Sequence, residues 1–126
     1  MKNSKKNKVL VVEDEPILSM ALSIELSSKG YTVFTADNGE EGLKAIRKDK
    51  PEVVLLDLLM PVMDGFQVLE ELKKDKSFSH LKVVVLTNLG QEEDEKKAKE
   101  LGANHFFVKS ATELSYLSKL VDKLIA

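Results

Sequence analysis

The sequence contains no cysteine among its 126 residues. Disulfide bonds, thiolate zinc sites and cysteine nucleophiles are therefore excluded. A chain without cysteine suits a reducing compartment, and we expect the protein to be cytoplasmic. The sequence also lacks an apolar run near the roughly 20 residues that a membrane helix needs, so we expect no membrane insertion.

A strong net charge is missing as well. The formal net charge is −2, which argues against DNA or an anionic membrane as the main partner. No helix-turn-helix pattern is present, and we expect no direct nucleic-acid binding. No internal repeat, low-complexity block or interior linker divides the chain. We therefore predict one compact domain over residues 8–126, preceded by a flexible basic leader at residues 1–7.

The apolar residues that are present form short continuous runs. Three runs indicate strands buried on both faces, and two shorter runs indicate two more: Val9 to Val12, Val53 to Leu56, Val83 to Leu86, Thr32 to Ala36 and His105 to Val108. Continuous hydrophobicity is typical of parallel strands covered by helices. Helical segments separate the runs, so the pattern predicts an α/β fold with a parallel sheet and right-handed crossovers.

Capping residues and helix-ending residues mark the intervening helices. Pro16 suits the first turn of a helix that runs to Lys29, and Gly30 suits its end. Three pairs have capping-box spacing and predict the starts of further helices: Asn38 with Glu41, Asp64 with Gln67, and Ser110 with Glu113. A heavily charged segment from Gln91 to Leu101 predicts a solvated helix.

Polar residues follow four of the predicted strands. They are Glu13 and Asp14 after the first strand, Asp57 after the third, Thr87 with Asn88 at the end of the fourth, and Lys109 after the fifth. Ligands of open α/β sheets bind beyond the carboxyl ends of the strands. We therefore expect these side chains to share one site.

The residue types at these positions fit phosphoryl transfer. Clustered carboxylates repel one another unless a cation compensates, and oxygen ligands suit Mg²⁺. An ionised Asp57 can act as a nucleophile toward phosphorus. Thr87 and Lys109 supply the hydroxyl and the ammonium that charge on the transferring oxygens requires.

These motifs resemble those of a known family. Four segments carry the resemblance: Val11-Val12-Glu13-Asp14-Glu15, Asp57 to Gly65, Leu86-Thr87-Asn88 and Phe106-Phe107-Val108-Lys109. Across nearly its whole length the chain resembles the receiver domain of two-component response regulators, of the chemotaxis-type single-domain kind. The resemblance implies a single doubly wound five-stranded parallel sheet of flavodoxin-like order 2-1-3-4-5, with helices on both faces.

The resemblance also assigns roles. Asp57 would accept a phosphoryl group from a histidine kinase or histidine phosphotransfer protein. Glu13, Asp14, Asp57 and the backbone carbonyl of Leu59 would hold Mg²⁺, with Glu13 acting largely through water. Thr87 and Lys109 would hold phosphate oxygens, and Thr87 and Phe106 would form a switch pair that changes the surface for an output partner. The protein would not be an enzyme beyond catalysing its own phosphorylation and dephosphorylation.

One position departs from the family pattern. The family usually has proline after the lysine, joined by a cis peptide bond, and this sequence has Ser110. Without proline a cis bond costs roughly 2.5–4 kcal/mol. We expect either a trans bond with a shifted loop or a cis bond held by its surroundings.

Two helix faces are candidates for partner contact. In the first helix Leu18, Leu22 and Leu26 should face the sheet. A second stripe, Ile17, Met20 and Ile24, is either part of a wide buried face or a docking surface for the kinase or phosphotransfer protein. Tyr116 and Leu120 on the last helix lie off its buried stripe and are candidates for an output or dimer surface.

Other functions fit parts of the pattern. A pseudo-receiver would be a protein-interaction domain that never carries phosphate; the complete acid set argues against it, and Ser110 leaves it open. A metal-dependent phosphatase usually needs a second aspartate two residues after the nucleophile, where this chain has Leu59. A flavodoxin would need a Gly-rich or Ser/Thr-rich phosphate loop, which Glu13-Asp14-Glu15-Pro16 does not provide.

Overall fold

A computed structural model describes residues 7–126, and residues 1–6 of the predicted leader lie outside the described residues. Five strands alternate with five α-helices: β1 Lys8–Val12, α1 Pro16–Ser28, β2 Thr32–Ala36, α2 Gly39–Asp49, β3 Val53–Leu56, α3 Gly65–Lys74, β4 Lys82–Thr87, α4 Glu92–Glu100, β5 His105–Val108 and α5 Leu114–Ile125. Short 3-10 turns lie at Lys76–Phe78 and Lys109–Ala111. The α/β prediction is confirmed.

The five strands form one parallel sheet in the order β2-β1-β3-β4-β5. This order confirms the flavodoxin-like topology that the resemblance implied. Val12, the last residue of β1, pairs with Ala36 on one side and with Leu56 on the other. The residues that follow β1 and β3 therefore lie side by side at the carboxyl edge, next to the point where the strand order reverses.

The sheet separates two apolar layers, which explains why the strands read as continuous apolar runs. Side chains of alternating residues point to opposite faces of each strand. In β1, Leu10 and Val12 pack in the layer beneath α2, α3 and α4, whereas Val9 and Val11 pack in the layer beneath α1 and α5. Every residue of β3 is buried. The two layers hold the strand exits in fixed relative positions.

Of the three predicted capping boxes, one forms completely and a second forms one of its two hydrogen bonds. Asn38 accepts a hydrogen bond from the Glu41 N–H, and Asp64 with Gln67 forms a complete capping box. The predicted box of Ser110 and Glu113 is wrong. Ser110 lies in a 3-10 turn, which Thr112 closes by donating from Oγ1 to the Val108 carbonyl at 2.8 Å. The helix α5 begins only after this turn.

The peptide bond between Lys109 and Ser110 is trans, as are all bonds within residues 7–126. The expectation of a trans bond is therefore confirmed, whereas the shift of the loop that was expected with it stays a prediction. Among the described residues, no helix combines the length and the apolar character that crossing a membrane requires.

Candidate functional site

Two carboxylates lie next to each other where β1 and β3 end. Glu13 and Asp57 continue the ladder beyond the strands: the Glu13 N–H donates to the Ala36 carbonyl at 2.9 Å, and the Asp57 N–H donates to the Val12 carbonyl at 3.0 Å. Both residues are only 3% exposed. Asp14 is exposed beside them, and the three side chains place carboxylate oxygens within 4.8 Å of one another. The predicted convergence of these acids is confirmed.

Lys109 reaches this cluster from the end of β5, two strands away from β3. Its Nζ donates to Oε2 of Glu13 at 3.0 Å, to Oδ2 of Asp57 at 3.0 Å and to Oε2 of Glu15 at 2.7 Å. The lysine side chain is only 9% exposed. Serine after Lys109 therefore does not displace the ammonium from the acid cluster. The contact with Glu15 was not predicted, although Glu15 stands directly beside the recognised acids in the sequence.

Burial and charge perturb the ionisation of the cluster. Burial raises the pKa of Glu13 from an ordinary value near 4.5 to about 7. The hydrogen bonds from Lys109 and from the Glu15 N–H oppose this shift, and the nearby Asp57 charge adds to it. Burial alone would lower the pKa of Lys109, but its hydrogen bonds with Glu15, Glu13 and Asp57 raise that pKa above its usual range. One ammonium thus faces more carboxylates than it can neutralise.

The backbone after Asp57 orients its carboxylate. The Leu59 N–H donates to Oδ1 of Asp57 at 3.2 Å, while Oδ2 accepts from Lys109. The side chain of Leu59 is half exposed. Gly65 closes the loop against the strand exit, because its N–H donates to the Leu58 carbonyl at 3.0 Å. A Cβ at Gly65 would lie 2.3 Å from the Asp57 carbonyl oxygen, so the close approach requires glycine.

Thr87 and Phe106 lie on neighbouring strands. Thr87 is fully buried at the end of β4, where its Oγ1 accepts from the Leu89 N–H at 3.4 Å. It pairs with Val108, the residue before Lys109, whereas Phe106 pairs with Val85. Phe106 is partly buried against the layer beneath α2, α3 and α4. The pair is therefore close to the site, and its switching role stays a prediction.

A groove of about 660 Å³ opens beside the cluster between α1 and the end of β2. Its lining includes Glu13, Asp14 and Met20 from one side and Asp37 and Glu41 from the other. The sequence analysis placed Glu41 only in a helix cap and assigned neither Asp37 nor Glu41 to the site, because nothing in their local pattern marks them as site residues. The groove extends the negative charge of the cluster toward the surface.

The candidate docking stripe on α1 is exposed. Ile17 is 86% exposed, and Met20 and Ile24 are each 64% exposed, whereas Leu22 and Leu26 are buried against the sheet. The alternative of a wide buried face is therefore wrong. On α5, Tyr116 is about half exposed, and its ring centre lies 5.5 Å from the Phe107 ring centre with the two rings nearly perpendicular. Leu120 is partly buried against the core layer of α1 and α5.

A family model described as the response regulator receiver domain matches residues 9–121. PilH of Pseudomonas aeruginosa is 34% identical over 119 residues, which cover 94% of this chain and 98% of PilH. The protein of Guillardia theta described as "Probable transcriptional regulator ycf27" is 42% identical over 104 residues. That match covers 82% of this chain and 40% of the ycf27 protein, so the chain spans about two fifths of such relatives.

Solved structures show the same fold. The phosphorylated cyanobacterial phytochrome response regulator RcpA has 30% identity and a TM-score of 0.79, with 94% of this chain and 90% of RcpA covered. The receiver domain of the sensor histidine kinase PA1611 from Pseudomonas aeruginosa has 22% identity and a TM-score of 0.84. The match covers 94% of this chain and 97% of the PA1611 receiver domain. That structure is described with a magnesium ion coordinated in its active-site cleft.

Proposed function

The chain belongs to the response regulator receiver domains, the phosphoacceptors of two-component systems, and we propose that Asp57 is the residue that accepts the phosphoryl group. Receiver domains are signalling domains without a dedicated catalytic activity. The observation that carries the proposal is the placement of Asp57: a buried carboxylate, 3.0 Å from the Lys109 ammonium, with two further acids within 4.8 Å.

The proposal includes a divalent ion at the acid cluster. Oxygen-only donors and an excess of carboxylates over ammonium groups suit Mg²⁺, which keeps several waters when bound. Asp14, Asp57 and the Leu59 carbonyl would hold the ion, and Glu13 would act largely through water. When bound, the ion would neutralise charge on the phosphoryl oxygens. The magnesium described in the PA1611 receiver supports this part of the proposal.

The phosphoryl group would come from a phosphohistidine of a kinase or phosphotransfer protein. An oxygen of Asp57 would form the bond to phosphorus while the bond from phosphorus to the histidine nitrogen breaks. Lys109, which already contacts Oδ2 of Asp57, would hold one phosphoryl oxygen, and the Thr87 hydroxyl would hold another. In these roles the protein accelerates only its own phosphorylation and dephosphorylation.

We place the protein in the cytoplasm, as the absence of cysteine suggests.

Phosphorylation would then change the surface of the last two strand-helix units. The phosphoryl group adds a charge of about −1.5 to −2 and strong acceptor oxygens. Thr87 would move toward it, and the Phe106 ring would turn inward behind the hydroxyl. An output partner would read the altered face, where Tyr116 and Leu120 are candidate contacts.

Intact mass spectrometry tests the assignment of Asp57. Wild type treated with acetyl phosphate is expected to gain one phosphoryl group in the presence of Mg²⁺ and none in the presence of EDTA. Asp57→Asn is the matched control and should gain none in either condition, because it retains the size of the side chain but lacks the nucleophilic oxygen. Equal gain in both proteins would refute the assignment.

The same experiment separates the alternative functions. A pseudo-receiver would gain no phosphoryl group under any condition. The position of Lys109 removes one argument for that alternative, because the trans bond to Ser110 leaves the ammonium in contact with Asp57. A phosphatase would instead release inorganic phosphate continuously from phosphate esters.

We propose that the exposed stripe of Ile17, Met20 and Ile24 docks the phosphoryl donor. Ile24→Arg is expected to slow phosphotransfer from the donor protein by at least about tenfold, because an apolar contact is replaced by a charge. The rate with acetyl phosphate should stay unchanged. Both rates can be followed by radiolabel transfer or by intact mass.

Ser79→Arg is a suitable control for this prediction. It adds the same charge at an exposed position before β4, at the amino end of the strands and away from the site. The control should accept phosphate from both donors at the wild-type rate. Equal slowing of both donors by Ile24→Arg would indicate a folding defect and contradict the docking role.

A further inference from the structure

The apolar layer beneath α2, α3 and α4 does not close at the amino ends of the strands. A cavity of about 270 Å³ lies there between the end of α3, the 3-10 turn at Lys76–Phe78 and the loop from α4 to β5. Three core residues on its wall keep some exposed surface: Leu72 at 9%, Leu81 at 7% and Val83 at 4%. Val85 of the same layer, two residues further along β4, is fully buried. The opening is therefore confined to this end of the sheet.

The sequence of α4 explains the opening. Eight of its nine residues are charged, and Ala98 is the one that is buried. On the neighbouring helix α3, Leu69 and Leu72 are both buried, and their side chains extend further than a methyl group does. The space between α3 and α4 is therefore filled only in part. Apolar surface that water still reaches gains free energy when a ligand covers it.

The wall of the cavity is recessed below the protein surface. Its volume of about 270 Å³ lies just under the range of about 300–1,000 Å³ that is typical of pockets for drug-sized ligands. The most exposed large apolar side chains of residues 7–126 lie elsewhere: Ile17, Met20, Ile24, Leu59, Val62 and Tyr116. The cavity thus fits a slender apolar chain better than it fits the broad face of a protein.

Two lysines that line the cavity have no acidic partner. Lys73 donates from Nζ to the Glu100 carbonyl at 2.8 Å, and neither Lys73 nor Lys76 forms an ion pair with a carboxylate of residues 7–126. Lys74, which does not line the cavity, pairs instead with Glu71 at 3.4 Å. An ammonium group has three donors and binds a carboxylate through charge-assisted hydrogen bonds. The unpaired cations at the end of α3 are therefore those beside the cavity.

The acid that also lines the cavity is already engaged. Asp75 accepts from the Ser77 N–H at 3.0 Å and from the Ser77 hydroxyl at 2.7 Å, and the positive charge of Arg47 stabilises its carboxylate. Asn104 accepts from the Val83 N–H at 2.7 Å through Oδ1, so its amide N–H groups are further donors beside the cavity. The polar groups around the apolar wall therefore favour an anion.

We propose that this cavity binds a small amphiphilic carboxylate. The aliphatic chain of the ligand packs against Leu72, Leu81 and Leu101, and its carboxylate accepts hydrogen bonds from Lys73 and Lys76. The site lies at the opposite edge of the sheet from the acid cluster, and it does not depend on the proposed phosphoacceptor. A ligand here fills the space that α4 leaves open, so it stabilises the folded chain by mass action.

Octanoate, titrated into the full chain and followed by ¹H–¹⁵N NMR, tests the proposal. We expect saturable shifts at the amides of Leu72, Leu81 and Leu101, with a Kd below about 1 mM. Octanol has the same chain without the carboxylate and should bind at least about tenfold more weakly. Octanol that binds as tightly as octanoate, or the absence of saturable shifts at these amides up to about 10 mM octanoate, would overturn the proposal.

A pair of lysine substitutions tests the carboxylate contact. Lys73→Met combined with Lys76→Met should weaken octanoate binding at least about tenfold and leave octanol binding unchanged. Lys48→Met combined with Lys74→Met is the matched control, because it removes the same charge from the ends of α2 and α3 at exposed positions outside the cavity. Equal weakening by the two pairs, or wild-type affinity of the first pair, would refute a carboxylate site at these lysines.

Two further proteins locate the ligand. Leu101→Phe adds volume to the wall of the cavity and should weaken binding of octanoate and octanol alike, while its melting temperature stays close to that of wild type. Asp57→Asn should bind octanoate with the wild-type Kd. Unchanged binding by Leu101→Phe, or lost binding by Asp57→Asn, would place the ligand outside the cavity. A short peptide with glutamate beside leucine that binds more tightly than octanoate would make a protein the occupant and contradict the proposal.

Discussion

Replacing Lys109 with methionine is expected to lower the free energy of unfolding by about 3–5 kcal/mol near pH 8 without divalent ions. The substitution removes the ammonium that donates to Glu13, Glu15 and Asp57. Two of these carboxylates are 3% exposed, so water cannot replace the lost charge. The loss should be smaller near pH 5, because buried carboxylates without a counter-charge bind protons instead. Urea unfolding at the two pH values measures both quantities.

Magnesium should restore part of the stability of this variant. An ion that binds only the folded state adds about 2.7 kcal/mol at a concentration about 100-fold above its Kd. Lys29→Met is the matched control, because Lys29 has one ion-pair partner, Asp122 at 2.8 Å, and its side chain is a third exposed. Its loss should be about 1 kcal/mol or less and should not respond to Mg²⁺. Equal losses in the two variants, or no response of the Lys109 variant to Mg²⁺, would contradict the view that Lys109 neutralises the acid cluster.

The strands were predictable because burial on both faces requires continuous apolar runs. The structure reproduces β2, β3 and β5 residue for residue, and β1 and β4 with one extra residue at one or both ends. The convergence of Glu13 and Asp57 follows from the same pattern. Once the strands are parallel and adjacent, the residues after them meet at one edge.

Other features depend on contacts that no local pattern encodes. The spacing of Ser110 and Glu113 suits a capping box, but Thr112 bonds back to Val108 and delays the start of α5. The sequence did not predict the positive φ of +69° at Val62, because valine is not a residue that indicates a left-handed backbone. Both features arise from how the chain packs around the loops at the carboxyl edge.

The stripe on α1 shows a different limit. Periodicity identifies which residues share a helix face, but it does not say how wide the buried face is. Leu22 and Leu26 are buried, whereas Ile24, between them in sequence, is 64% exposed. The distinction depends on α1 contacting the sheet and α5 on one side only. The roles of this stripe and of Thr87 and Phe106 remain predictions.

Glu13 should make the stability of the metal-free protein fall as pH rises. Its pKa is about 7 in the folded protein, against an ordinary value near 4.5, and burial is the main cause. Between these two values the folded state binds more protons than the unfolded state, so the slope of unfolding free energy against pH is negative for this group. The contribution of Glu13 is therefore fully favourable below about pH 4.5 and is lost as pH rises through about 7.

Glu13→Gln should remove this contribution, because glutamine does not titrate. We expect the free energy of unfolding of wild type to fall relative to that of Glu13→Gln as the pH rises from about 4.5 to about 7. Urea unfolding in EDTA measures both free energies. A difference independent of pH would show that burial does not perturb Glu13. Magnesium should reverse the dependence, since the ion favours the ionised carboxylate. The apparent Mg²⁺ affinity of wild type, measured by calorimetry, should rise with pH through about 7, and this rise should be weaker in Glu13→Gln. The ionised acid cluster thus destabilises the metal-free protein, and binding of the cation offsets this loss of stability.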